Sequence, residues 1–551
     1  MRKLFTTALV ALMAAANAMA DWTPSFTQET VLTDYNEYGQ AQMKTLRAAD
    51  GTIVLTWLKT GDDLLYSDPQ YGYWLHMQIF DPQGNALFGN DGVVVSKQPT
   101  LSYTTDYDVK FADNGDVLLA YWDVRDDTAN RTKGDAYIYR YNLKGEPVWS
   151  ADGVKFPAKV YKDGGKVIAP QLAVCGKNIY VTGVYTEHYK VKATEDNWEP
   201  SPWFPDEEMP DSIDVDYSDN QIQCMDDNGN FLWNETLLLS SDLLQIAPCG
   251  DDIYLLYANE DYGLSARRLN AEGKDVWEQP VVVEEEALTS SSYMPETTIE
   301  SDGDDGLLLF YRKLNGWTGY MVMNRLRPDG TTLGEAVSLN GSIDGDGDNV
   351  KVAVRGEKVM AAWKYEDLSS TNYLWTNLLN TDGSFAWTGA NEKGMALGDN
   401  DMWGFTAVKV IPQTNGWVTL YGDLQSWNGA NFYAVKTDDN GKTLWTKQIA
   451  GDDMKSSGFS VVYDESRAYI FYTCDREIGD DWEEQPGDGG MRVFCIDITD
   501  ASNQDTAIDK PTTAGQTTDT YNMQGVRVAS ASQSGLYIVR QGNQAKKVMV
   551  K

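Results

Sequence analysis

Two histidines and 82 acidic side chains hold most of the acid–base chemistry of this 551-residue chain. His76 sits in an alternating apolar segment and reads as a strand residue. His188 sits in a long polar connection and is the catalytic candidate of the pair. A sugar hydrolase needs two carboxylates about 5–9.5 Å apart, and spacing alone selects no pair among so many. Gly-x-Ser-x-Gly, His-Glu-x-x-His and phosphate-cradling glycine loops are absent from the sequence.

Aromatics and carboxylates recur together between apolar segments. Trp122-Asp123-Val124-Arg125, Asn259-Glu260-Asp261-Tyr262, Tyr365-Glu366-Asp367, Asp423 with Trp427, and Asp475 with Trp482 are such groups. The longest polar connection, roughly 186–219, adds Trp198, Trp203 and the run Asp206-Glu207-Glu208. Aromatic faces stack on the C–H groups of sugars and carboxylates accept their hydroxyls. Trp122, Asp123, Arg125, Trp198, Trp203, Trp427, Asp475 and Trp482 are therefore ligand-binding candidates, for a glycan or a protein. The competing reading is a set of acidic surface loops with a few packing tryptophans. Asp344, Asp346 and Asp348 alternate like the start of a calcium loop, but Asn349 stands where such loops turn on glycine and Arg355 where they place glutamate. Calcium is the cation such a site would take, and a solvated acidic turn is the alternative.

The elements that position these residues come from a repeat. Gly84, Gly145, Gly229, Gly273, Gly330, Gly383 and Gly441 each end a short polar turn, and Phe88, Trp149, Trp233, Trp277, Trp387 or Trp445 follows four residues later, with Gly334 breaking the pattern once. Asn-Gly and Asp-Gly supply the positive φ of tight hairpins. Eight alternating apolar runs, ending at residues 57, 121, 183, 257, 311, 363, 421 and 472, recur about every 59 residues. Four strands in each of eight units predict an all-β protein, a β-propeller spanning 21–504. Seven blades plus an irregular unit is the alternative count. The eighth unit lacks its turn and fourth strand, and the segment 25–32 is the strand predicted to fill the place and close the ring.

The remaining composition bounds location and partners. With 45 basic against 82 acidic residues the net charge is −37, which excludes an extended nucleic-acid face. Residues 1–20, with Arg2 and Lys3, an apolar stretch and Ala18-Met19-Ala20, read as a secretory signal peptide. No later segment is apolar enough for a transmembrane span. Cys175, Cys224, Cys249, Cys474 and Cys495 are too sparse for a disulfide scaffold; Cys474 and Cys495, on adjacent predicted strands, are the likeliest bridge. After a linker at 505–518, residues 519–551 hold three short alternating segments broken by glycine, which predict a small β-sandwich. Residues 506–551 carry six basic and two acidic side chains, which concentrates the acidity in the ring.

The Gly-x-x-x-Trp repeat resembles the signature of quinoprotein-like eight-bladed propellers, which implies a tryptophan wedged between neighbouring blades. The Ala-x-Asp-x-x-Thr-Gly lead and the vicinal cysteines of quinone enzymes are missing, so the resemblance implies no quinone cofactor. Thr437-x-Asp439-x-Gly441 has its aromatic one place too late for a sialidase Asp-box. The tail, with 521–528 (YNMQGVRV), 535–540 (GLYIVR) and 546–551 (KKVMVK), resembles the type A C-terminal sorting domain of the type IX secretion system. That resemblance implies the type IX machinery as a partner and display at the cell surface or release outside the cell. The functional expectation is a secreted binding module; the alternatives are a polysaccharide-degrading hydrolase or lyase and a structural surface protein.

Overall fold

The computed structural model describes residues 22–499 except 37–39, 61–71, 90, 97, 102–106, 126–132, 162–164, 195–208, 242–243, 287, 289–296, 317, 401–403, 425–429, 450–458 and 476–488, together with 519–522, 527–528, 535–541 and 544–550. Residues 1–20 and the linker 505–518 lie outside the described residues. Contacts divide the chain into two units, Met1–Ile496 and Asp497–Lys551.

The first unit is a β-propeller of eight four-stranded antiparallel sheets, which settles the blade count against seven. Blades 1 to 7 occupy 40–94, 108–155, 166–239, 244–284, 298–338, 346–400 and 405–449. Blade 8 is assembled from Phe459–Tyr463, Arg467–Asp475 and Gly489–Asp497, with Thr30–Asn36 as its outer strand. Every apolar run singled out by its spacing is the second strand of a blade. The alternating side chains of these runs pack on both neighbouring sheets, so they read as near-continuous apolar segments.

The closing strand is antiparallel to Gly489–Asp497, with Thr30 opposite Val493 and Asn36 opposite Gly489. It lies a few residues beyond the expected 25–32, because Ser25 contributes only one backbone bond, its N–H donating to the Cys495 carbonyl at 2.8 Å. Arg492 fastens the seam from inside, donating to the Thr33 carbonyl at 2.6 Å and pairing with Glu29 at 3.4 Å. Cys495 is buried and its thiol donates to the Trp22 carbonyl at 3.2 Å; the side chain of Cys474, its expected bridge partner, lies outside the described residues.

The repeat glycines and aromatics meet between blades. In each turn the glycine adopts a φ of +75° to +90°, where a side chain is strained. A Cβ at Gly273 would stand 2.8 Å from Trp233 of the preceding blade, and one at Gly229 3.1 Å from Trp149. The indoles also donate to the turn they cover: Trp149 to the Asp227 carbonyl at 3.2 Å, Trp233 to Ala271 at 2.8 Å, Trp277 to Pro328 at 3.1 Å. Where Gly334 replaces the aromatic, Val337 and Leu333 cover Gly383 instead. Blade 8 has no such turn, and Trp445 meets Phe26 there, ring centroids 6.3 Å apart. Trp22 takes the place of the missing eighth aromatic, 5.5 Å from Phe80 of blade 1 and 5.4 Å from Tyr469 of blade 8.

The second unit contains one four-stranded antiparallel sheet, in the order Arg527–Val528, Asp519–Asn522, Gly535–Gln541, Gln544–Val550. The expected sandwich is therefore a single sheet among the described residues. No helix among the described residues is long and apolar enough to cross a membrane.

Candidate functional site

Connections from second to third strands, and from one blade to the next, emerge on the same face of the ring. On blades 1 and 2 they bring Asp123 and Arg125 together. The second strand of blade 2 is Val117–Asp123, and alternation sends Trp122 and Asp123 to opposite sides. Trp122 points into the core between blades 2 and 3, with Phe156, Val167 and Tyr185, and is 3% exposed. It is a packing residue, not a ligand contact.

Asp123 is fully enclosed and accepts a two-pronged ion pair from Arg125, Nε to Oδ1 at 2.9 Å and Nη2 to Oδ2 at 2.7 Å. Ser96 Oγ, from the connection that enters blade 2, donates to Asp123 Oδ2 at 2.8 Å. The guanidinium lies 3.6 Å over the Tyr137 ring, donates to the Tyr139 hydroxyl and reaches the Asp152 carbonyl at 2.5 Å. Paired on one edge and stacked on one face, it is a fixed cation at the lip of an open cleft of about 720 Å³ between blades 1 and 2. Val93–Val94 forms one wall and Tyr137, Tyr139 and Tyr141 the other. Burial pushes the pKa of the Tyr139 hydroxyl upward.

Blade 3 shows a second grouping. The connection expected over 186–219 is a hairpin for much of its length, because Asn178–Lys192 and Ser212–Met225 stay paired out to Lys192 opposite Ser212. The inner strand pairs only as far as Lys166 opposite Thr186, so the last six residue pairs form a two-stranded ribbon. At its base Tyr161 and Tyr217 both donate to Asp219 Oδ2, at 2.8 and 3.2 Å. Tyr185 donates to Glu187 at 2.6 Å. The Tyr161 ring meets those of Tyr185 and Tyr217 edge to face, with centroids 5.6 and 5.2 Å apart. Tyr161 and Tyr217 remain exposed, giving an aromatic platform with an engaged carboxylate below it.

Along the ribbon His188 stands opposite Asp216. Its Nδ1 lies 2.8 Å from Asp216 and its Nε2 3.1 Å from Asp214. The bond to Asp216 is the main cause that raises the imidazole above its ordinary value of 6.5. With a carboxylate at each nitrogen, the ring has no lone pair free to act as a base. His76 is a buried strand residue, stacked on Trp57 and bonded to the Asp91 carbonyl at 2.8 Å.

Asp346 is drawn onto Arg312 at 2.6 Å, and it accepts the Gly319 N–H at 3.0 Å. Asp346 and Asp348 belong to the inner strand of blade 6, Asp346–Arg355, and Asp344 precedes it. No group of three or more acidic, histidine or cysteine side chains that could hold a metal forms among the described residues. The alternating aspartates follow strand geometry rather than a cation-wrapping loop. Trp198, Trp203, Trp427 and Trp482 lie outside the described residues, as does the side chain of Asp475. Tyr137, Tyr139, Tyr161, Tyr217 and Ser96 were not singled out from sequence; the alternation Tyr137-x-Tyr139-x-Tyr141 is the signal that points to the cleft wall.

No protein-family model and no curated protein matches the chain. Among solved structures, it is similar to a protein of unknown function from Dyadobacter fermentans at 8% identity and TM-score 0.34, covering 85% of this chain and 97% of that one. Trypanosoma rangeli sialidase in complex with sialic acid aligns at 10% identity and TM-score 0.30, covering 88% and 61%. An exo-beta-1,3-galactanase from Phanerochaete chrysosporium aligns at 10% and 0.27, covering 50% and 62%. Likeness at this level says nothing of activity.

Proposed function

We propose that this chain is an exported β-propeller that binds carbohydrate on the connection face of blades 1 to 3. The observation that carries the reading is the exposed platform of Tyr161 and Tyr217 at the base of the blade 3 ribbon; the open cleft between blades 1 and 2, with Arg125 at its lip, is a second groove. Exposed aromatic faces suit the C–H faces of a sugar. The carboxylates of these groups, Asp123, Glu187 and Asp219, are already engaged in structural hydrogen bonds, which favours recognition over hydrolysis. Export rests on the leader at 1–20, and delivery through the type IX machinery rests on the resemblance of 519–551. Incubation with a polysaccharide panel, read for depletion and for new reducing or unsaturated ends, tests the function. Binding without product is expected, and product release identifies an enzyme instead.

A further inference from the structure

Two blade junctions are held by an asparagine clamp. Asn377, on the third strand of blade 6, donates to the Leu339 carbonyl at the end of blade 5 at 2.8 Å. Asn324 of blade 5 donates in the same way to the Val283 carbonyl of blade 4 at 3.2 Å. Each asparagine stands opposite the residue two places before the end of its second-strand run, Ala361 and Leu309. In blade 2 the same place, opposite Leu119, holds Tyr139. A tyrosine has no amide to offer, and its hydroxyl is turned onto Arg125. Phe88 covers Gly145 at this junction, a smaller ring than the indoles that cover Gly229 and Gly273. Repeat rules broken together at one junction mark a place kept for function.

Two groups are left over there. Val95 matches Leu339, because the N–H of each donates back to the third strand of its own blade, at Leu75 (2.8 Å) and Met321 (3.0 Å). The Leu339 carbonyl has its asparagine, whereas the Val95 carbonyl has no donor among the described residues. Tyr141 lies two residues beyond Tyr139 on the same strand face. It is 5% exposed, and its hydroxyl has no hydrogen-bond partner among the described residues. Val95 and Tyr141 line the same open cleft of about 720 Å³, together with the apolar surface of Val93, Val94 and Pro147. Its two cations are paired within the protein, Arg125 with Asp123 at 2.7 Å and Lys155 with Asp135 at 2.6 Å. The lining therefore suits a neutral ligand, in a volume ordinary for a small-molecule site.

We propose that this cleft takes the acetamido group of an N-acetylated amino sugar. The acetamido N–H donates to the Val95 carbonyl as Asn377 does to Leu339, its methyl meets the apolar surface, and the Tyr141 hydroxyl bonds an oxygen of the same sugar. Affinity comes from reproducing the hydrogen bond that the clamp makes at the other junctions. A plain hexose has hydroxyls but no amide with an apolar end. The site rests on the carbohydrate reading of the connection face and narrows it to a class of sugar.

The test is saturation-transfer NMR with calorimetric titration of the full chain, using N-acetylglucosamine and N-acetylgalactosamine against glucosamine, glucose and N-acetylglycine amide. Saturable binding of an acetylated sugar, with the unacetylated sugars inert, is expected. Tyr141→Phe should weaken it about tenfold, the loss of one hydrogen bond. Tyr139→Asn, which restores the clamp, should abolish it. Binding unchanged in Tyr141→Phe overturns the site, as does preference for the peptide-like amide. Retention of a polysaccharide that depends on Tyr161 and Tyr217, with every acetylated sugar inert, overturns the cleft site and leaves the carbohydrate reading standing.

Discussion

Asp123 shows how an enclosed charge holds a surface group in place. Its side chain has no solvent exposure, and Arg125, Ser96 and the Arg125 backbone N–H satisfy it. Removing it leaves a guanidinium above Tyr137 without its counter-charge. Asp123→Ala should destabilise the protein by about 3 kcal/mol, at the low end for a broken buried pair because Arg125 keeps some water contact. Chemical denaturation checks this, and an unchanged midpoint would show that the pair is replaceable. His188 carries a pH dependence of known sign. Its pKa is raised in the folded chain, so its contribution to the ribbon is full below the ordinary 6.5 and is lost as pH rises through the raised value. Hydrogen exchange at 187–192, corrected for intrinsic rate, should quicken across that window in the wild type and not in His188→Asn.

At the scale of elements, the wedge between blades is the repeating structural unit. Trp387 is 1% exposed and covers the Gly441 turn, so Trp387→Ala should cost about 3–5 kcal/mol, as for other buried aromatics. Trp22 is 5% exposed and does the same work at the seam from outside the repeat. Trp22→Ala should lower the thermal midpoint in the same way, and an unperturbed midpoint would remove it from the closure. The glycine–aromatic spacing made these contacts legible, because one residue type demanded positive φ and the other a flat surface to cover. Trp22 was not legible, because it precedes the closing strand and has no repeat partner. The blade 3 ribbon was hidden for a different reason. Tyr189 and Val191 alternate against Ile213, Val215 and Tyr217, but the intervening charges match a loop as well as a ribbon whose other face is wet.

For the whole molecule, ring closure decides which residues become neighbours. Glu29 and Arg492 are joined only because the ring closes at the seam, and Thr45 and Ser460 meet there for the same reason. Such pairings depend on angular position, which spacing along a chain does not encode. The same limit explains the candidate site: Arg125 was visible as a loop cation, whereas Tyr139 joins it only when the second and third strands of blade 2 pair, and Ser96 only when the connection from blade 1 folds over them. The acidic surface around them favours neutral or hydroxyl-rich ligands over polyanions on the outer face. The account turns on the tyrosine platform. The direct measurement is equilibrium titration of a retained polysaccharide against the wild type and a Tyr161→Ala, Tyr217→Ala double variant with matched thermal unfolding. A loss of about tenfold or more in affinity is predicted; equal affinity in the two proteins would contradict it.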